Sequence, residues 1–328
     1  MIITRTPYRV SLFGGGSDFP KWYREHGGKV LAFSINKYAY LTARHLPPFF
    51  SHNYRVSYSR SEETKTIDQM EHPAFREAIR LFGESKPLEI HHHGDLPARS
   101  GIGSSSAFAV GIINALNVLN GKYLHQMEIA DEAIHFEQVV LNENVGSQDQ
   151  ITCSIGGMNL IEFCTNGKWK PIPVLLSKDY EDEISDRAVL FYSGISRFSS
   201  DISKTLVENI PSNEKSIFRL MEIAQDGHDL LANKGDLDEI GDLLNESMQL
   251  KAELNPSGIN QGILDLLNYA KASGAIGGKI LGAGGGGFFL FWTKKGCRED
   301  FISKFKSGVV VPFNIESTGS QVIFSNLD

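Results

Sequence analysis

The stretch that most limits what this chain can become is residues 97–107, PARSGIGSSSA, which passes directly into the apolar run FAVGIINALNVL. Small and apolar residues on every side predict a buried helix over 104–120, and the two glycines ahead of it predict a pliable loop at its N-terminus. The first N–H groups of a helix have no partner within it, and the helix dipole places partial positive charge at the same end. Loop and helix terminus together suit an anion such as a phosphate group. Serine hydroxyls add hydrogen bonds to phosphate oxygens or oxygen ligands for magnesium. Ser104 alone has a plainer use as a helix cap, but three serines beside two glycines exceed what a cap needs.

Two further glycine clusters raise the question of which phosphate fold this is: GGGSD at 14–18 and GAGGGG at 282–287. The last satisfies GxGxxG, yet the dinucleotide fingerprint needs a helix after the glycines, and FFLFW after Gly287 reads as a strand. SGAIGGKI at 273–280 comes near a Walker A loop, but Ser273 replaces its first glycine and Ile280 its magnesium-binding Ser or Thr. Both nucleotide motifs are therefore rejected.

Composition narrows the function further. With 328 residues, 41% apolar and 22% charged, the chain has the balance of an ordinary globular protein of two domains. No run approaches the ~20 apolar residues of a membrane span, and the N-terminus, interrupted by Arg5 and Arg9, lacks the core of a secretory signal, so a cytoplasmic location is expected. A net charge of −7 without clustered Lys and Arg disfavours nucleic acid. Cys153, Cys164 and Cys297 show no CxxC spacing and read as reduced core or near-core residues. HHH at 91–93 is not read as a metal site, because consecutive strand residues face opposite ways.

Residues 1–60 carry short β-rich runs, VLAFSI, YAYLTA and YRVSYS, expected to form one antiparallel sheet. Helical spacing appears at 73–82, PLEIHHH returns to strand, and a second amphipathic helix is expected over 126–144. After about residue 200 long helical patterns dominate, at 214–233, 236–253 and 260–272, before GFFLFW, GVVVPFNI and SQVIFS. The chain is divided into an N-terminal unit, 1–185, and a C-terminal unit, 186–328.

Within 126–144 the residues Ala130, Ala133, Ile134 and Leu141 form an apolar stripe, and Glu137 lies on it. A carboxylate aimed inward needs a partner or a metal, unless it sits at the stripe's edge and reaches water. In NVGSQDQ, Gly146 is read as the helix stop and Asp149 as a loop carboxylate, placed to deprotonate a hydroxyl or simply to shape a turn.

The ordered set PYRVSLFGGGSD (7–18), DLPARSGIGSSSA (95–107), NVGSQDQ (144–150) and GGKILGAGGGGF (277–288) resembles the three signatures and the catalytic loop of the GHMP small-molecule kinases. GGGSD, SSSAFAVG, GSQDQ and YSGISR (192–197) are most similar to the branch acting on D-glycero-D-manno-heptose 7-phosphate. The resemblance implies an α+β fold of two domains, one like domain 2 of ribosomal protein S5 and one ferredoxin-like, with the site between them. It implies ATP and Mg2+, a sugar or sugar-phosphate acceptor, and transfer of the γ-phosphoryl group to the anomeric hydroxyl. On these positions Asp149 is the base and Arg9 the basic residue near the transferred group. Pro97, Arg99, Ser100, Gly101, Ile102, Gly103, Ser104, Ser105 and Ser106 surround the ATP phosphates, and Ser105 with Glu137 holds magnesium. Gly15, Gly16, Ser17, Asp18, Arg197, Gly284, Gly285 and Gly286 face the substrate. Ala98 and Arg99 depart from the glycine usual in this branch, and Arg99 either adds to phosphate binding or faces solvent. An acceptor already bearing phosphate needs a second cationic pocket, for which Arg44, His45, Arg99 and Arg197 are the candidates; without one, a neutral sugar such as fucose or galactose is the alternative. A nucleotide-binding regulatory protein without catalysis is a third reading.

Overall fold

The computed structural model describes residues 1–84, 86–194, 205 and 207–326. The β-rich start forms β1 (Ile2–Phe13) and β2 (Gly28–His45), with α1 (Pro20–His26) between them. At eighteen residues β2 serves three neighbours: β1 runs antiparallel along one side, while on the other β5 (Leu88–Gly94) pairs with residues 39–45 and β6 (Met158–Phe163) with residues 28–33. The expected single antiparallel set is corrected at YRVSYS. There β3 (Tyr54–Ser57) pairs antiparallel with β4 (Ser61–Thr64) but lies parallel to β5, and α2 (Pro73–Phe82) occupies the crossover that a parallel pair requires.

The apolar run becomes α3 (Ser104–Leu119), packed on β1 and β2 and covered by α2, α4 (Gln126–His135) and α5 (Gln148–Ile155). Contact on several sides explains why its sequence has no polar stripe. The helix expected over 126–144 ends earlier: α4 passes into a π-turn at Phe136–Val140, and Asn142 then takes a left-handed conformation with φ 53°. β7 (Trp169–Pro173) pairs with β6 and completes this side of the first sheet.

After α6 (Lys178–Arg187) the chain builds a second, wholly antiparallel sheet ordered β11-β8-β10-β9, from β8 (Ala188–Tyr192), β9 (Ala275–Ile280), β10 (Phe288–Thr293) and β11 (Val309–Val311). Its inner strands β8 and β10 are buried on both faces. Phe288, Leu290 and Trp292 join the large core shared with the first sheet, while Phe289 and Phe291 join a second core with Val189, Phe191 and Phe301. That two-sided burial accounts for the unbroken apolar run GFFLFW. Of the long helices, α7 (Glu214–Ala232) packs on β1 and β2, whereas α8 (Asp238–Leu254) and α9 (Gln261–Ala272) pack on β9.

The tail returns to the start. Ile315 bridges to Ile35, and β12 (Gln321–Ser325) pairs with β1 at the edge of the first sheet. The sheets therefore do not follow the expected 1–185 and 186–328 units at the C-terminal end. The cysteine reading is also amended: Cys153 is buried, but Cys164 and Cys297 are exposed. No helix among the described residues is long and apolar enough to cross a membrane.

Candidate active site

The N-terminus of α3 is open. Gly103 occupies the cap position with φ 73°, and no side chain caps the helix. Ser104 does not act as the cap; its hydroxyl accepts the N–H of Arg99 at 3.0 Å. Inner residues fasten the loop: Ser100 Oγ donates to the Pro97 carbonyl at 2.6 Å, and the Arg9 N–H donates to the carbonyl of buried Ile102 at 3.2 Å. The outer residues Pro97, Arg99 and Ser105 remain exposed.

The third glycine cluster braces this loop from behind. A Cβ on Gly282 would lie 2.5 Å from the Gly101 Cα, and Phe288 N–H donates to the Ser100 carbonyl at 2.9 Å. At this seam only backbone fits between the two turns. Of the expected substrate glycines here, Gly284 abuts the Gly258 carbonyl, where its Cβ would approach to 2.6 Å, and Gly285 N–H donates to that same carbonyl at 2.7 Å. Residues 284–286 do not line the neighbouring cavity.

Arg9 on β1 and Asp149 meet in a two-pronged contact. Arg9 Nε donates to Asp149 Oδ1 at 2.6 Å and Nη2 donates to Oδ2, while Nη1 donates to the Gly101 carbonyl at 2.7 Å. Arg9 is only 4% exposed and Asp149 22%, so the guanidinium is enclosed while the carboxylate keeps an open side. Asp149 is not in a loop, as expected, but in the first turn of α5.

Beside this pair a cavity opens, lined by Arg9, Ser11, Gly15, Gly16, Asp18, Phe19, Gln148, Asp149, Leu220, Leu254 and Asn255 among others. Asp18 is buried and accepts from Gly16 N–H at 3.0 Å and from Gln148 Nε2 at 3.0 Å. Burial, and then Asp149 nearby, push its carboxyl above the usual range. Gly146 is explained here rather than as a helix stop: a Cβ at that position would lie 1.8 Å from Asp18 Oδ2. Ser17 does not line the cavity; its hydroxyl is held between the Gly14 and Lys29 carbonyls, each at 2.9 Å. Arg44 pairs with Glu89, and Arg44, His45 and Arg99 lie outside the cavity wall. Arg197 falls outside the described residues.

Glu137, on the π-turn, points inward and is 1% exposed, which removes the edge-of-stripe alternative. It accepts from Ser106 Oγ at 2.6 Å and Gln150 Nε2 at 2.5 Å, both at Oε2, so Oε1 carries no hydrogen bond among the described residues. Burial above all, with Glu143 and Asp149 adding, pushes its carboxyl up to about 7. The hydroxyl reaching Glu137 is that of Ser106, not exposed Ser105. Gln150 Oε1, buried and without a partner among the described residues, lies on the same amide. This all-oxygen set with an unused carboxylate oxygen and an orphaned carbonyl fits a hard divalent cation.

Two lysines escaped sequence reasoning. Lys251 on α8 and Lys279 on β9 both line the cavity. Lys279 is 5% exposed and donates to the Leu12 carbonyl at 2.9 Å; burial, then Arg9, push its ammonium down to about 7. Lys251 donates to the Ile280 carbonyl at 2.9 Å and to that of Gly282, and burial, then Lys279 and Arg9, push it well down. The signal was available: Lys251 continues the buried α8 positions Ile240, Leu244 and Ser247 and precedes Leu254, the pattern that singled out Glu137.

Comparison with known proteins agrees with this geometry. The GHMP kinases N terminal domain family matches residues 70–157 and the GHMP kinases C terminal family residues 228–309, together just over half of the chain. A D-glycero-alpha-D-manno-heptose 7-phosphate kinase of Campylobacter jejuni is 28% identical over 97% of both chains. A bifunctional fucokinase/GDP-fucose pyrophosphorylase of Arabidopsis thaliana is 27% identical over 88% of this chain and 29% of that protein. The crystal structure of a D-glycero-D-manno-heptose 1-phosphate kinase from Bacteroides thetaiotaomicron superposes with a TM-score of 0.80 at 24% identity, covering 99% of this chain and 100% of that one. An open helix terminus, an arginine–aspartate pair beside it and a cavity between two α/β layers thus stand in a two-domain chain that belongs to the GHMP kinases, phosphotransferases with an alcohol group as acceptor.

Proposed function

We propose that the chain transfers the γ-phosphoryl group of ATP to the anomeric hydroxyl of D-glycero-D-manno-heptose 7-phosphate, giving the 1,7-bisphosphate. The observation that carries the reading is the contact of Arg9 with Asp149 at the junction of phosphate loop and cavity, where one side of a carboxylate stays open to an incoming hydroxyl. The likeness to the Campylobacter jejuni kinase supports the choice of sugar.

Phosphoryl transfer asks a protein mainly for positioning and for neutralising charge. The open first turn of α3 and the Gly101–Gly103 backbone receive the ATP phosphates. Asp18 and the Gly15–Gly16 turn orient the sugar. Asp149 takes the proton of the anomeric hydroxyl as that oxygen bonds to the γ-phosphorus and the bond to ADP breaks. Arg9 fixes the Asp149 carboxylate and sets positive charge beside the group in flight. Glu137 through Oε1, with the Gln150 side-chain carbonyl oxygen, would hold Mg2+, and Ser106 Oγ and Gln150 Nε2 orient that carboxylate. Magnesium supplies charge neutralisation on the phosphate oxygens.

The test is an ADP-release assay with heptose 7-phosphate, fucose, galactose and mannose, with and without magnesium. Highest kcat/KM on heptose 7-phosphate, lost with EDTA, is expected. Preference for fucose or galactose replaces the proposed acceptor, and ADP release from none of them favours the regulatory reading.

A further inference from the structure

We propose that Lys251 and Lys279 form a phosphate-binding subsite on the acceptor side of the cavity, so that the acceptor must already carry a phosphate monoester. This rests on the kinase reading and deepens it.

Both lysines share a wall with Gly15, Gly16 and Asp18, and none of residues 97–106 contributes to it. They thus stand with the sugar-orienting residues, and Lys251 also reaches the Gly282 carbonyl at the seam with the ATP loop, so the experiment reads KM for ATP as well as for the acceptor. Charge balance points the same way. Arg9 is matched by Asp149; Asp18, whose carboxyl burial and then Asp149 push above the usual range, accepts from Gly16 and Gln148 and forms no ion pair with either lysine among the described residues. Neither lysine pairs with a carboxylate among the described residues; each ammonium meets only backbone carbonyls. An ammonium has three donors. Lys279 retains two after its bond to Leu12, and Lys251 one after its bonds to Ile280 and Gly282.

Burying two neighbouring cations without a counter-ion is costly, and their depressed proton affinity registers that cost. Neutral sugar hydroxyls offer no compensation. A phosphate dianion brings two charges and several acceptor oxygens to the spare donors, inside walls that Phe19, Leu220 and Leu254 keep apolar. The cationic pocket sought among Arg44, His45, Arg99 and Arg197 is thus supplied by residues from the second sheet and its helix.

The experiment compares heptose 7-phosphate with the unphosphorylated heptose as acceptors, using the full chain with magnesium and ATP. The wild type is expected to favour the phosphorylated acceptor by about 100-fold or more in kcat/KM. Lys251→Met and Lys279→Met are each expected to raise KM for it about 10- to 100-fold, and more than KM for ATP, shrinking that preference. Equal losses on both acceptors, or a wild type that favours the free sugar, overturn the subsite and leave the kinase reading standing. ADP release from no acceptor removes the kinase reading itself. If neither variant folds, inorganic phosphate decides on the wild type. Competition against the sugar phosphate with KM for ATP unchanged supports the subsite, and its absence overturns it.

Discussion

Asp149 and Glu137 are two carboxylates twelve residues apart in sequence with opposite surroundings, and their tests differ accordingly. Asp149 keeps an open face and a guanidinium on its other side. Asp149→Asn is expected to lower kcat by about 10²- to 10⁴-fold, measured by ADP release, while calorimetry with a non-hydrolysable ATP analogue still records binding. Near-normal turnover in that variant removes the base assignment. Glu137 is enclosed, and its carboxyl titrates near 7 rather than at the ordinary 4.5. Between those values the folded chain holds a proton that the unfolded chain has released, so metal-free stability falls as pH rises from about 4.5 to 7 and stays lower above. Glu137→Gln keeps an oxygen for Ser106 and Gln150 and removes that penalty. Without magnesium at pH 8 it is expected to unfold at higher denaturant concentration than the wild type, by up to about 3 kcal/mol, with the difference gone by pH 4. Its magnesium-dependent turnover should be lost.

At the scale of elements, the phosphate loop owes its shape to the turn before β10. Gly282→Ala sets a Cβ against the Gly101 backbone and forces a side chain onto φ 66°. It is expected to cost about 1–3 kcal/mol in denaturant unfolding and to raise KM for ATP more than KM for the sugar. This dependence also shows where sequence reading stops. The helix α3, its loop, the place of Glu137 on the apolar stripe and the rejection of a Rossmann turn were all legible, because each rests on local period or on the kind of element that succeeds a glycine turn, whereas the choice between an inward Glu137 and one at the stripe's edge was left to the fold. The parallel placement of β3 was not, since strand pairing is decided by chain far away. The π-turn that ends α4 leaves no mark in residue spacing. Gly146 reads as a helix stop in sequence, and only the approach of Asp18 from another element reveals its purpose. Lys251 was legible on its helix face and was passed over; Lys279, inside a glycine-rich strand, had no periodic signal to lift it.

Across the whole molecule, β12 brings the last residues back to β1, and one core runs through both sheets. Thr6 Oγ1 lies 2.9 Å from Ser320 Oγ, and Asn114 Nδ2 donates to that same oxygen, so the returning tail also ties to α3. Calorimetry of the intact chain is expected to show one cooperative unfolding transition, and removal of residues 315–328 to lower its midpoint by several degrees. Two separate transitions in the intact chain would contradict a shared core. The same architecture bears on how such an enzyme diversifies. Where Gly101 meets Gly282 no side chain intervenes, so drift has nothing to trade there, and on the proposed function a new sugar would be accommodated by rewriting the cavity wall at Leu220, Leu254, Asn255 and the two lysines while inheriting the bare junction intact.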